Sequence, residues 1–252
     1  MVLDIPDAEM WFLVMVRMLA ALAPAPIFGH RSVPTVAKVG LAAGLAWLLV
    51  MPGGTKVARP EGWEPFLLAL VAEMGLGLLL GFAVSLAFWA VTMAGDLVAL
   101  QMGFGFAGTL HSSLEQSSSA LSQFYTLAAT LVFLTIGGHR MFLSALANTL
   151  AIAPPYSFIV GDLHLHRVIE LASTIFAAAF QIALPVLGTL LLVDATLALL
   201  SRVLPQLNAF IFGLPLKIAA GLLALWISLP ALLSLTSRWV SAAPFNIQAI
   251  VK

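Results

Sequence analysis

A chain of 252 residues with 62% hydrophobic and only 9% charged side chains, at a mean hydropathy of +1.07, cannot cover its apolar atoms with a polar shell of its own. That excludes an ordinary soluble globule and leaves an integral membrane protein or an obligate hydrophobic complex. Basic and acidic side chains balance at 11 each, so no cationic face is available for nucleic acid, and the absence of cysteine excludes disulfides and thiolate metal sites.

Asp4, Asp7 and Glu9 precede the first apolar run and Arg17 falls inside it. A secretory signal has the reverse order, positive charge first, so this segment is expected to stay in the mature protein. Apolar segments near 10–28, 36–52, 65–95, 120–137, 168–200 and 207–235 predict about six hydrophobic helical regions. Backbone in lipid must satisfy its own hydrogen bonds, so the expected fold class is all-α, built of membrane-type helical hairpins. The run from Thr35 to Met51 is short for a span. Pro65 to Gly95 is long: with Glu73 as its one charge, it would extend ~46 Å as a straight helix against a hydrocarbon core of ~30 Å. A steep tilt, a bend at Gly75, Gly77 or Gly81, or packing outside the lipid would each accommodate it. Gly40 and Gly44, and Gly77 and Gly81, have the spacing for close helix approach, which a Gly-rich chain also produces by chance. Lys and Arg fall in similar numbers on both sides of the expected spans, which leaves the positive-inside rule without an orientation.

Residues 101–119 are unusual. Gly103, Gly105 and Gly108 alternate with Phe104 and Phe106, and a serine-rich run follows. Glycine at this density opposes a helix by about 1 kcal/mol per residue, so a loop or broken helix is expected between two apolar regions. Irregular backbone at membrane depth has to be buried in protein or line a cavity, and a loop with two aromatics there would act as a plug; the alternative is an exposed connector. Gly137-Gly-His-Arg140 reads as a turn that closes a helix, and Asp162-Leu-His-Leu-His-Arg167 as a solvated loop. Between Val168 and Leu235 only Glu170, Asp194, Arg202 and Lys217 carry charge. This tract is long enough for two spans and is interrupted once, by a polar turn at 201–217 containing Pro205, Gln206, Asn208, Gly213 and Pro215. Arg17, Glu73, Asp96 and Asp194 are candidate buried charges. They either line a permeation path or form ion pairs between helices, with the second reading favoured. No nucleophile–base pair, phosphate loop, dinucleotide fingerprint or zinc set is legible, so no catalytic, metal-binding or cofactor-binding residue is assigned and no enzyme is expected.

Taken together, Arg17 followed by Pro24-x-Pro-Ile-Phe-Gly29 and Pro34-x-x-x-Lys38, then Glu73-Met-Gly-x-Gly-x-x-x-Gly-Phe82, Gln101-Met-Gly-Phe-Gly-Phe, Gly137-Gly-His139, Arg202-x-x-Pro-Gln-Leu-Asn-x-Phe210 and Gly213-Leu-Pro-Leu-Lys217 resemble the FliR family of flagellar export-gate proteins. The resemblance runs through the whole chain in order. It departs at Thr109–Gln116, where the family commonly carries an Asp-Pro pair. It implies a structural, channel-forming subunit of the flagellar type III export gate in the bacterial inner membrane at the flagellar basal body. Residues 1–160 would be FliP-like and 161–252 a FliQ-like hairpin. The partners implied are FliP-like and FliQ-like subunits, an FlhB-like subunit, membrane lipid and unfolded export substrates. The plug would comprise Gly103, Phe104, Gly105, Phe106 and Gly108. Arg202, Pro205, Gln206, Asn208, Gly213, Pro215 and Lys217 would form the subunit interface and turn. The injectisome homologue of virulence secretion is the close alternative, and a solitary secondary transporter a more distant one.

Overall fold

The computed structural model describes residues 5–30, 32–50, 62–104, 119–157, 162–204 and 209–251. Among them there are seven α-helices and no strand. These are α1 (Ile5–Leu22), α2 (Thr35–Val50), α3 (Trp63–Met102), α4 (Ala120–Thr135), α5 (Gly138–Ile152), α6 (Asp162–Val203) and α7 (Ala209–Val251). The all-α fold class holds, with one helix more than the sequence predicts. Trp63–Met102, Ala172–Val203 and Phe212–Trp239 are each long and apolar enough to cross a membrane, while α4 and α5 qualify only taken together.

α3 is one continuous helix of 40 residues through Gly75, Gly77 and Gly81, and helix limits differ from expectation at three other places. Gly137 does follow the end of α4 as a left-handed residue, but it also opens a further helix, so that His139 and Arg140 stand in the first turn of α5 and not in the last turn of a helix. His164 and His166 lie within α6, not in a loop. The turn expected at 201–217 is shorter as well, because α6 continues to Val203 and α7 already contains Gly213, Pro215 and Lys217.

The chain divides into two compact units. One comprises Met1–Ala87, Gly137–Ser173 and Val240–Lys252, and the other Phe88–Ile136 and Thr174–Trp239. This partition differs from the expected 1–160 and 161–252 division, which concerns likeness to two other families and not compactness.

In the first unit, Met10, Leu13, Val14, Arg17, Met18 and Ala21 recur at helical spacing and form the buried stripe of α1. The Trp11 indole donates to Ala43 O at 3.1 Å and ties α1 to α2. Gly77 and Gly81 let α3 press directly on α1: a Cβ at either would collide with the backbone carbonyl of Arg17 or Ala21. Gly40 and Gly44 do not repeat this pattern, since nothing lies within 4 Å of a Cβ built at either one. Phe28 stacks on Phe142 of α5 at 6.2 Å between ring centroids.

In the second unit, the end of α3 and α4 meet along a line of small and hydroxyl side chains. Thr92 Oγ1 and Thr126 Oγ1 are 2.8 Å apart, Gly95 faces the Ser122 backbone, and Phe88 meets Phe133 edge-on at 5.5 Å. Ser119 caps α4, its hydroxyl accepting from Ser122 N–H at 3.0 Å. Ala178, Ala179, Ile182, Ala183, Val186 and Leu190 form the buried stripe of α6.

Candidate functional site

Two polar clusters stand in these apolar surroundings, one in each unit. The first centres on Arg17, which is 0% exposed, with Glu73 at 1%. Helical spacing places Arg17 in the middle of the α1 stripe, Glu73 in the buried row Ala69, Leu76 and Leu80 of α3, and Thr149 beside Phe142, Ala145 and Leu146 on α5. The guanidinium makes a fork to the carboxylate, Nε donating to Glu73 Oε2 and Nη2 to Oε1 at 2.7 Å. Nη2 also donates to Ala153 O at 2.9 Å, and Nη1 lies 3.4 Å from Thr149 Oγ1, which in turn donates to Leu146 O at 2.6 Å. Ala153 is the C-cap of α5, so the cation satisfies a carbonyl that the helix leaves unpaired and sits at the negative end of its dipole. Both charges are neutralised and hydrogen-bonded, which is the condition for keeping them out of water. The cluster joins three helices and leaves no group poised for chemistry.

The second cluster is built on Asp194 of α6. Gln101 in the last turn of α3 donates through Nε2 to Asp194 Oδ2 at 2.8 Å, and Lys217 Nζ of α7 stands 2.5 Å from Oδ1. Asp194 and Lys217 are 35% and 25% exposed, so this pair is only partly shielded. Two residues beyond Gln101, Gly103 ends α3 with φ +91°, its N–H donating to Leu100 O at 3.1 Å while the N–H of Phe104 reaches Ala99 O at 3.0 Å. That pair of hydrogen bonds is a Schellman stop, which requires a left-handed residue after the last helical one, and glycine adopts it without a Cβ penalty. The Phe104 side chain follows at once and is exposed.

The remaining predicted residues fall as follows. Gly105, Phe106 and Gly108, and Pro205, Gln206 and Asn208, lie outside the described residues. Arg202 and Pro215 are exposed and Gly213 is buried, the last with a hypothetical Cβ 3.4 Å from Leu197 Cδ1. Asp96 is exposed, not buried as expected: it occupies the outer side of α3, 3.5 Å from the Ser119 hydroxyl. Lys217, expected to contact a neighbouring subunit, has a partner within its own chain in Asp194. Sequence reasoning missed Thr149, Ala153 and the pairing of Gln101. For Thr149 the signal was a lone hydroxyl on the apolar face of α5. The Ala153 contact is a backbone carbonyl and leaves no sequence signal. Among the described residues no group of three His, Cys, Asp or Glu side chains is placed to hold a metal.

The family described as bacterial export proteins, family 1, matches residues 8–243 of the chain. The chain is 32% identical over 223 residues to the flagellar biosynthetic protein FliR of Pectobacterium carotovorum, covering 87% of this chain and 84% of that one. To FliR of Escherichia coli it is 31% identical over 214 residues, with 85% and 82% covered. The secretion system apparatus protein SsaT of Salmonella typhimurium matches less of it, 30% identical over 162 residues, covering 64% of this chain and 62% of the relative.

Proposed function

This chain belongs to the bacterial export proteins, family 1, as a FliR-type component of flagellar type III export, and from that we propose that it is a structural, channel-forming subunit of the export gate. It would pass unfolded flagellar proteins across the bacterial inner membrane. The observation that carries the reading is the family match over residues 8–243, which takes in most of the first compact unit, all of the second and both polar clusters. The three long apolar helices support a membrane location.

In this reading residues 1–160 are FliP-like and 161–252 form a FliQ-like hairpin, so the chain joins FliP-like and FliQ-like subunits, with an FlhB-like subunit at the gate. Gly103, Phe104, Gly105, Phe106 and Gly108 contribute to the seal of the idle channel. Arg202, Pro205, Gln206, Asn208, Gly213 and Pro215 serve contacts between subunits, and Lys217 does so beside its bond to Asp194. The Arg17–Glu73 cluster acts inside the subunit and is not a lining of the path. The injectisome reading is weaker, because SsaT covers 64% of the chain where the two flagellar relatives cover 85% or more.

Two experiments test the proposal. A tagged chain drawn gently from its native membrane is expected to bring FliP-like and FliQ-like companions with it, identified by mass spectrometry; a folded, monodisperse chain recovered alone would contradict the gate. Deleting residues 104–108 is expected to leave the assembled complex intact and make the membrane permeable to small solutes. A membrane that stays tight would remove the plug assignment.

A further inference from the structure

We propose that Asp194 is a positioning residue of the export channel: by accepting from Gln101 and Lys217 it fixes the end of α3 on the α6–α7 hairpin and so sets where Phe104 is presented. The inference rests on the reading of Phe104 as part of the channel seal.

Three contacts within the second unit hold the last turn of α3. Gln101 Nε2 is 2.8 Å from Asp194 Oδ2. At the next residue, Met102 fills the space that Gly221 of α7 leaves open, where a Cβ would stand 2.7 Å from Met102 Cε. At Gly103 a Cβ would stand 2.5 Å from Leu214 Cδ1, so the helix stop itself sits against α7. The last two contacts are matters of shape and could slide along an apolar helix. The first is directional: it joins an amide to a charged acceptor, the stronger class of hydrogen bond. Lys217 completes the arrangement by occupying Oδ1, which leaves Oδ2 facing Gln101. Phe104 follows Gln101 by three residues, and its N–H is held by Ala99 O, so a fixed Gln101 means a fixed Phe104 backbone.

A bond between α6 and α7 alone would need only Asp194 and Lys217. Gln101 belongs to neither helix, and it is the residue that separates a positioning role from a merely structural one. The test uses the assembled export complex in its native membrane, with ion leak normalised to the amount of complex. Gln101→Met keeps the length of the side chain and removes the donor. It is expected to raise the leak about tenfold, the shift that follows loss of ~1.4 kcal/mol of a bond to a charged group. Gln101→Lys restores a donor opposite Asp194 and is expected to return the leak to the parental level, which a purely steric effect of substitution would not do.

The chain has no cysteine of its own, which allows a second readout: spin labels at Phe104→Cys and Leu199→Cys should give a narrow distance distribution that broadens with Gln101→Met. If Gln101→Met changes neither leak nor distance while deletion of 104–108 does leak, the positioning role is wrong and the plug stands. If the deletion does not leak, the plug reading fails, and the distance distribution alone decides whether Asp194 holds the end of α3. Should Gln101→Met reduce assembly, recovery of assembly by Gln101→Lys supports the donor role and its failure overturns it.

Discussion

Arg17 shows how much one side chain can organise when it is deprived of water. Its guanidinium donates to Glu73 of α3 and to Thr149 and Ala153 O of α5, so one residue of α1 holds two further helices. Removing one member of a buried pair leaves the other charge uncompensated, at a cost of about 3–5 kcal/mol. Arg17→Met is therefore expected to lower the unfolding midpoint of the purified complex sharply. Arg17→Met with Glu73→Leu should recover a good part of the loss, because an apolar pair of similar volume carries no stranded charge. Equal destabilisation in the single and double variants would mean that shape, not charge, sustains the cluster.

At the scale of the helices, two of the left-handed glycines, Gly137 and Gly103, have different surroundings and should respond differently to substitution. Gly137, at φ +72°, has nothing within 4 Å of a hypothetical Cβ. Gly137→Ala is expected to cost only the backbone strain, about 1–2 kcal/mol, and Gly137→Asn less. Gly103→Ala adds a collision with Leu214 to the same strain and should cost more. Thermal unfolding of the three variants checks the order, and a Gly103→Ala no worse than Gly137→Ala would show that Leu214 simply moves aside. The helices themselves were largely legible, since apolar runs predict α1, α2, α3, α4, α6 and α7 to within several residues at one end or more. At α3 glycine left a bend open as one of three accommodations. Each of Gly75, Gly77 and Gly81 weakens an isolated helix by about 1 kcal/mol, yet the close approach of α1 at Gly77 and Gly81 needs a residue without a side chain, and packing overrides propensity. The separate helix α5 was lost because Gly137 and Gly138 look like an end, and only the φ of Gly137 shows that one helix hands over to another. The charge partners were illegible for a simpler reason: Arg17 lies 56 residues from Glu73 and 132 from Thr149, and no local pattern spans such distances.

For the whole molecule, helix length and bare surface point the same way. Helices α3, α6 and α7, with 40, 42 and 43 residues, would each extend ~60 Å or more, about twice the thickness of a hydrocarbon core. Only 11% of the apolar part of α7 is buried within the chain, and Leu222, Leu223, Trp226 and Ile227 are exposed there. A surface of that size needs a cover of lipid or of protein. The export-gate proposal makes the cover protein. A single cysteine placed by Trp226→Cys is expected to react readily with a lipid-soluble maleimide when the chain is expressed alone. Its companions should protect it in the assembled complex. Equal labelling in the two states would assign this face to lipid.

The buried ion pair also has a history in time, set by the direction of synthesis. The ribosome makes the cation first. At ~5–20 residues per second, Glu73 follows 56 residues and roughly 3–11 s later, so the carboxylate of an apolar helix emerges with its counter-charge already waiting. Thr149 and Ala153 come 132 and 136 residues behind Arg17, roughly 7–27 s after it. Through that interval the nascent chain holds a guanidinium with spare donors, and the arrival of α5 is the event that retires them.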